Sequence, residues 1–288
     1  MPALVADRTV RAVPQAWIVH REIALLLGWP RAILMQFAHP LVAQGVAEHS
    51  RFATDTFGRW RRLSRTLGAM LTLTFGSERE AAAVVARING IHDRVSGPVP
   101  DGAARIGNGA AYSARDPELL LWVHATCVQS FMLVYETFVR RLTPAERDRY
   151  CEESAEGALV FGIPPSWLPR SAAALDTYVR SMLEHGPIEV GDTARRLAAD
   201  VIAPRSPLML RPAYAALSWM TAGLLPPALS EAYGFRWNAR RARWLRATAS
   251  TARGIVPRLP ERIRCWPSAR AAFAAWAARA NPSARRAV

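Results

Sequence analysis

The residues of this chain best able to do chemistry are two histidines and an arginine–threonine pair, all set in apolar helical patterns. The stretch from Arg59 to Gly97, RWRRLSRTLGAMLTLTFGSEREAAAVVARINGIHDRVSG, reads as two helices joined at Gly76. Arg62 and Thr66 lie one turn apart on the first and so share a face. Ala81, Val84, Val85, Ile88, His92 and Val95 recur at helical spacing on the second, which turns that side toward a core. A histidine at the inner end of such a stripe is either a hydrogen-bonded core residue or a ligand to something buried. His124 is buried by the same periodicity, flanked by Leu120, Leu121, Cys127 and Val128. A buried neutral imidazole without a partner costs about 1–3 kcal/mol, so each needs a hydrogen bond or a metal. Arg62, if buried, needs an anion; otherwise its stem carries the guanidinium out to solvent.

The elements that position these groups are helices. Ser77 with Glu80 forms a capping box that opens the His92 helix, and Gly97-Pro98 closes it. Thr54 or Asp55 caps the helix carrying Arg62. Asp116-Pro117 starts a helix that runs to about residue 141 and is apolar nearly all round, the mark of a domain centre rather than a membrane span, since it carries His124, Gln129, Ser130 and Glu136. Upstream, Trp17 to Trp29 reads as a helix ended by Pro30, Arg31 to His39 as a second, and Leu41 to Glu48 as an apolar continuation past the break at Pro40. Thr143 with Glu146 is another capping box. Further helices fit residues 171–185, 192–203, 212–225, 237–254 and 267–280. Gly97 to Arg115, with PVPDG inside it, is a long loop. No alternating strand runs and no repeat of fixed period occur. The expected fold is all-α: one large helical domain over 15–280, globin-like in architecture class and built round the central apolar helix at 117–141. A loosely ordered leader (1–14) precedes it and a basic tail (281–288) follows.

Composition removes several function classes. The 288 residues are half apolar, enough for a sizeable core. Three scattered cysteines give no disulfide framework and imply a reducing compartment. The first ten residues lack a basic region followed by an apolar run, which points to the cytoplasm. The net charge is +14, and all 37 basic residues are arginine. Such a surface favours acidic partners, but the arginines are dispersed apart from a denser run at Arg236–Arg253, and no nucleic-acid motif accompanies them. We therefore expect no specific nucleic acid, and leave peripheral membrane contact open. There is no zinc helix, no di-iron Glu-x-x-His pair, no nucleophile elbow, no phosphate loop and no dinucleotide fingerprint. Covalent haem attachment is excluded as well. Imidazole chemistry inside a helical cage remains. A noncovalent haem would suit it, with one axial histidine and arginines for the propionates; for Arg62 the anion is a propionate or Glu48. Of the other histidines, His20 and His185 sit at charged or terminal positions and read as surface residues, and His39 as a helix cap.

The runs LMQFAHPLVAQGVAEHSRF, RWRRLSRT, INGIHDRVSG and DPELLLWVHAT, in that order, resemble the MpaB-type oxygenase and rubber-oxygenase catalytic-domain family. The resemblance covers about residues 15–280. It implies an all-α haem b enzyme related to latex clearing proteins, which cleave a polyisoprene double bond with dioxygen. It makes His92 the proximal iron ligand and sets Arg62 and Thr66 beside the haem. Rubber oxygenases carry a lysine before that threonine, able to occupy the distal side. Here the residue is Arg65, which does not readily give up its proton to bind iron. Glu48 falls near the family's catalytic glutamate. His124 belongs to the WVHAT block, as a pocket residue or as the iron ligand in place of His92. The expectation is thus a haem b-dependent oxygenase that uses dioxygen on a small hydrophobic substrate, an isoprenoid or other alkene. Rubber itself is disfavoured because no export signal is visible. The substrate pocket is expected between the 30–50 and 117–141 helices. A helical protein that holds haem or lipid without turnover is the alternative.

Overall fold

The computed structural model describes residues 12–49, 56–98, 111–202 and 208–280, with side chains from position 64 onward in the helix that begins at 56. Most of the expected leader, the cap at Thr54 or Asp55, most of PVPDG and the basic tail lie outside these residues.

Helix α1 (Gln15–His20) is shorter than its apolar pattern predicts. The break comes at Glu22 and not at Pro30. Glu22 adopts an extended backbone, φ −81° and ψ 123°, and bridges to Cys265. Its fully buried carboxylate meets Arg21 at 3.2 Å and Arg264. Intrinsic helix preference is worth only about 0.7 kcal/mol per residue or less, so this long-range ion pair decides the conformation. Burial nonetheless pushes the Glu22 carboxyl upward against the pull of both arginines. After one stretch of 3-10 helix comes α2 (Gly28–Phe37), with Pro30 in its first turn, where a missing N–H loses nothing. The helix break expected at Pro40 is present, and the proline itself opens the next helix, α3 (Pro40–His49), where the His39 carbonyl accepts the Ala43 N–H at 3.0 Å.

The hairpin of α4 (Thr56–Phe75) and α5 (Glu78–His92) follows. Its capping box is formed: the Ser77 N–H donates to Glu80 at 2.9 Å, and the Glu80 N–H returns to Ser77 Oγ at 3.4 Å. The expected loop from 97 to 115 is anchored by a ribbon of β1 (Ser96–Pro98) and β2 (Ala111–Ser113), antiparallel with Gly97 opposite Tyr112. This is the one sheet among the described residues. Asp116 caps α6 (Pro117–Phe138) by accepting the Glu118 N–H at 2.9 Å. Then come α7 (Pro144–Ala158), α8 (Ala172–His185), α9 (Asp192–Ile202), α10 (Arg211–Leu224), α11 (Pro227–Ala232), α12 (Ala239–Ile255), α13 (Glu261–Arg264) and α14 (Pro267–Ala280). The short α11 and α13 are absent from the sequence pattern.

α6 is the centre, as its composition predicts. It buries residues on every side, Trp122, Ala125, Phe131, Val134 and Tyr135 among them. It passes the length and apolarity test for a membrane span, but 61% of its most apolar window is buried inside the protein, as in a core helix. α2 lies along it, and Trp122 Nε1 donates to the Met35 carbonyl at 3.2 Å. The buried Arg31 joins three helices: it donates to Ser130 Oγ at 2.6 Å, Gln129 Oε1 at 3.0 Å and the Leu224 carbonyl at 2.7 Å. Desolvation lowers its pKa to about 10, still far above neutrality. α10 and α12 touch at Gly223, where a Cβ would come within 2.3 Å of Trp237 and 2.6 Å of Leu245, so only glycine fits. The α4–α5 hairpin is built differently. Val84 is the one buried residue of α5, and no described side chain of α4 is buried.

Candidate functional site

His92 ends α5, and the chain turns directly after it: the Val95 N–H donates to the His92 carbonyl at 3.1 Å before β1 begins. The ring is half-buried. Its Nδ1 is buried and has no hydrogen-bond partner among the described residues. Burial lowers its pKa, the charge of Arg115 adds to this, and Asp93 opposes it. Arg115 itself is held by Asp93 at 2.6 Å. The imidazole therefore favours its neutral form, with a lone pair free to bind a metal. One turn earlier on the same face, Asn89 donates through Nδ2 to the Val160 carbonyl at 3.2 Å, while its Oδ1 is buried without a partner. Unanswered buried atoms occur elsewhere among the described residues, Nδ1 of His20 and of His39 included, but these two stand one turn apart on one helix face, each costing about 1–3 kcal/mol if nothing meets it.

The ribbon that follows His92 carries a second cluster. The Tyr112 hydroxyl donates to Glu48 Oε2, and Gln44 Nε2 donates to Glu48 Oε1 at 2.5 Å. His49 Nε2 lies 3.0 Å from the same hydroxyl and 3.2 Å from the Ser96 carbonyl. These bonds, from Tyr112 first and Gln44 second, hold the exposed Glu48 carboxyl below the usual carboxylate range. Desolvation, helped by Glu48, pushes the Tyr112 hydroxyl up to about 12. A Cβ at Gly97 would sit 2.9 Å from that hydroxyl and 3.0 Å from Glu48 Oε2, so the cluster closes only over glycine. At neutral pH, Glu48 is an ionised acceptor steered by a protonated tyrosine.

His124 lies on α6, seven residues past its start and so about 10 Å along its axis. It is half-buried by exposed area, yet burial lowers its pKa to about 4. His124 is a neutral imidazole with no hydrogen bond among the described residues.

The remaining site expectations fare unevenly. Thr66 stands on an exposed stretch of α4, not inward as its pairing with Arg62 implied, and Arg65 beside it is exposed too, because this part of α4 is not covered by a neighbouring helix among the described residues. The side chain of Arg62 lies outside the described residues. His20, expected at the surface, is packed between Phe131 and Tyr150. Its Nε2 is 3.1 Å from the Tyr150 hydroxyl, and burial takes its pKa down to about 4. The contact of α1 with α6 and α7 turns it inward. His39 is also buried, while His185 is exposed as expected. Tyr112 and His49 went unread in the sequence because Tyr112 meets Glu48 across 64 positions. Among the described residues, no group of three or more metal-ligating side chains converges. Two surface clefts exist, about 530 Å³ around His39, Asp116 and Glu184 and about 570 Å³ between α1, α4 and α14. Neither touches Glu48, His92 or His124.

Comparison with curated proteins gives no match, and comparison with solved structures gives none either. The family model described as ER-bound oxygenase mpaB/B′/rubber oxygenase, catalytic domain, matches residues 16–254. That span runs from α1 into α12 and takes in Glu48, the α4–α5 hairpin, the ribbon and both inner histidines. The chain belongs to the mpaB/rubber-oxygenase catalytic-domain family, a family of oxygenase enzymes.

Proposed function

We propose that this chain is a haem b-dependent oxygenase that acts with dioxygen on a small hydrophobic alkene, an isoprenoid among them. The observation that carries this reading is the inner end of α5, where His92 offers a neutral imidazole with an orphaned, buried Nδ1. A single imidazole, with no cluster of further ligands among the described residues, suits an iron that would bring its remaining donors with a macrocycle. His92 would hold the iron. Arg62 would pair with a propionate, and Arg65 and Thr66, exposed on the same helix, would meet only the solvent-facing rim of the group. Haem b would supply the iron at which dioxygen is bound and activated. His124 would add an uncharged imidazole from α6. Glu48, ionised and aimed by Tyr112, would place a fixed negative charge and a proton acceptor beside the reacting part of the substrate. Tyr112, with a pKa near 12, keeps its own proton and fixes the carboxylate's orientation.

The test is the visible spectrum of the purified protein after haem supplementation, oxidised and dithionite-reduced. A Soret band that is lost in His92→Ala and kept in His124→Ala is the expected result. No Soret band in the wild type ends the proposal. Loss in His124→Ala alone moves the iron ligand to α6. Oxygen uptake with an apolar alkene, reduced in Glu48→Gln, then separates an oxygenase from a protein that merely holds haem.

A further inference from the structure

The arginine-dense segment has no role in that chemistry, and its structure is unusual for this chain. From residue 232 to residue 260 there are seven arginines and no acidic residue. α12 packs inward through Leu245 and Ala249 and is capped by Asn238, which accepts the Arg241 N–H at 2.9 Å. Arg253 is tied to the Thr137 carbonyl at 3.0 Å. Arg240, Arg241, Arg243 and Arg246 are exposed. Elsewhere arginines such as Arg115, Arg140, Arg170 and Arg195 meet carboxylates. Among the described residues none of the seven from Arg236 to Arg258 does. Within this positive field stands Trp244, 60% exposed, and Ile255 is 54% exposed. The two are eleven residues apart, about three turns, and so lie on one flank of the helix.

We propose that the outward flank of α12, with Arg240, Arg241, Arg243 and Arg246 around Trp244, docks the protein on the surface of an anionic lipid bilayer. Uncompensated arginines on a rigid helix attract acidic headgroups. An indole prefers the headgroup boundary, with its ring among acyl chains and its N–H wet. Ile255 decides between a membrane and a nucleic acid: an exposed aliphatic side chain gains from acyl chains and offers nothing for a base to stack on. The buried face stays in the protein core, so the contact is shallow, reversible and sensitive to salt.

The experiment is co-sedimentation of the full chain with vesicles of phosphatidylcholine alone or with about 30% phosphatidylglycerol, an anionic surface of the kind that recruits basic segments. We expect binding to the anionic vesicles only, weakened more than about tenfold by raising salt past the point where the Debye length falls to about 3 Å. Replacing Arg240, Arg241, Arg243 and Arg246 by Glu should abolish it. Trp244→Ala should weaken it about threefold to tenfold, with a blue-shifted emission change present in wild type and missing in Trp244→Phe. A control that reverses the exposed Arg79, Arg87, Arg149 and Arg180 changes net charge equally and should retain most of the binding. Equal binding to neutral vesicles, equal loss in the control, or displacement from vesicles by a single-stranded oligonucleotide that binds more tightly would each overturn the proposal. No readout involves haem or turnover, so failure here leaves the oxygenase reading untouched.

Discussion

Two buried polar sites, Arg31 beside α6 and the inner end of α5, are answered in opposite ways. Arg31 is enclosed by α2, α6 and α10, and three acceptors at 2.6–3.0 Å answer its donors. At the inner end of α5, Asn89 Oδ1 and His92 Nδ1 are just as dry, and nothing among the described residues answers them. The first pattern is what a structural framework requires, since buried polar groups that are satisfied specify one packing. The second is not confined to α5: among the described residues Gln15 Nε2, His20 Nδ1, Glu22 Oε2, Trp29 Nε1 and His39 Nδ1 are buried and unanswered as well. What sets the α5 pair apart is its setting, two such atoms one turn apart on a thinly packed hairpin.

This contrast can be attacked from its strongest side downward. Arg31→Met should strand Ser130, Gln129 and the Leu224 carbonyl and cost about 3–5 kcal/mol, read as a fall in the urea midpoint. A mild effect would erase the distinction. The scaffold should also be acid-sensitive. His20 has a folded pKa of about 4, below the ordinary 6.5, so its burial is sustained while the ring is neutral. Its share of stability is present above about pH 6.5, is lost progressively as pH falls toward 4, and amounts to roughly 2–3 kcal/mol. His20→Phe should flatten the stability profile in that window, and an unchanged slope would place the acid sensitivity elsewhere. Gly97→Ala should part Tyr112 from Glu48 at a cost of about 1 kcal/mol. The Glu48 carboxyl should then titrate closer to its ordinary value, measurable by carboxyl NMR. Smallest of all, His92→Ala in haem-free protein should change stability by less than about 1 kcal/mol, because it removes an orphan rather than a partner. A loss as large as that of Arg31→Met would make His92 a framework residue after all.

Local signals were readable in the sequence, and long-range ones were not. The capping boxes at Ser77 and Thr143 and the Asp116-Pro117 start each depend on atoms a few residues apart, and all form. The centrality of α6 follows from an apolar surface on every side. The break at Glu22 depends on Arg264, 242 positions away, and no window of helical periodicity contains that partner. His20 looked like a surface residue because Arg21 and Glu22 follow it, yet it is Tyr150, 130 positions on, that covers it. Within the candidate site, His92 and His124 stood out through their apolar neighbours. Tyr112 did not, because a ribbon of three residues per strand leaves no alternating pattern to detect. The inward reading of Thr66 failed for a related reason: periodicity identifies a face, and only a neighbouring helix decides whether that face is covered.

The ribbon also bears on how such a protein can change over generations. β1 begins four residues after His92, and β2 ends three residues before the cap of α6. Backbone pairs at Ser96–Ser113 and Pro98–Ala111 clasp the two ends together. A change of chain length between the two strands is thus taken up beyond a fixed clasp, so the spacing of α5 and α6, and with it the stations of both imidazoles, is insulated from it.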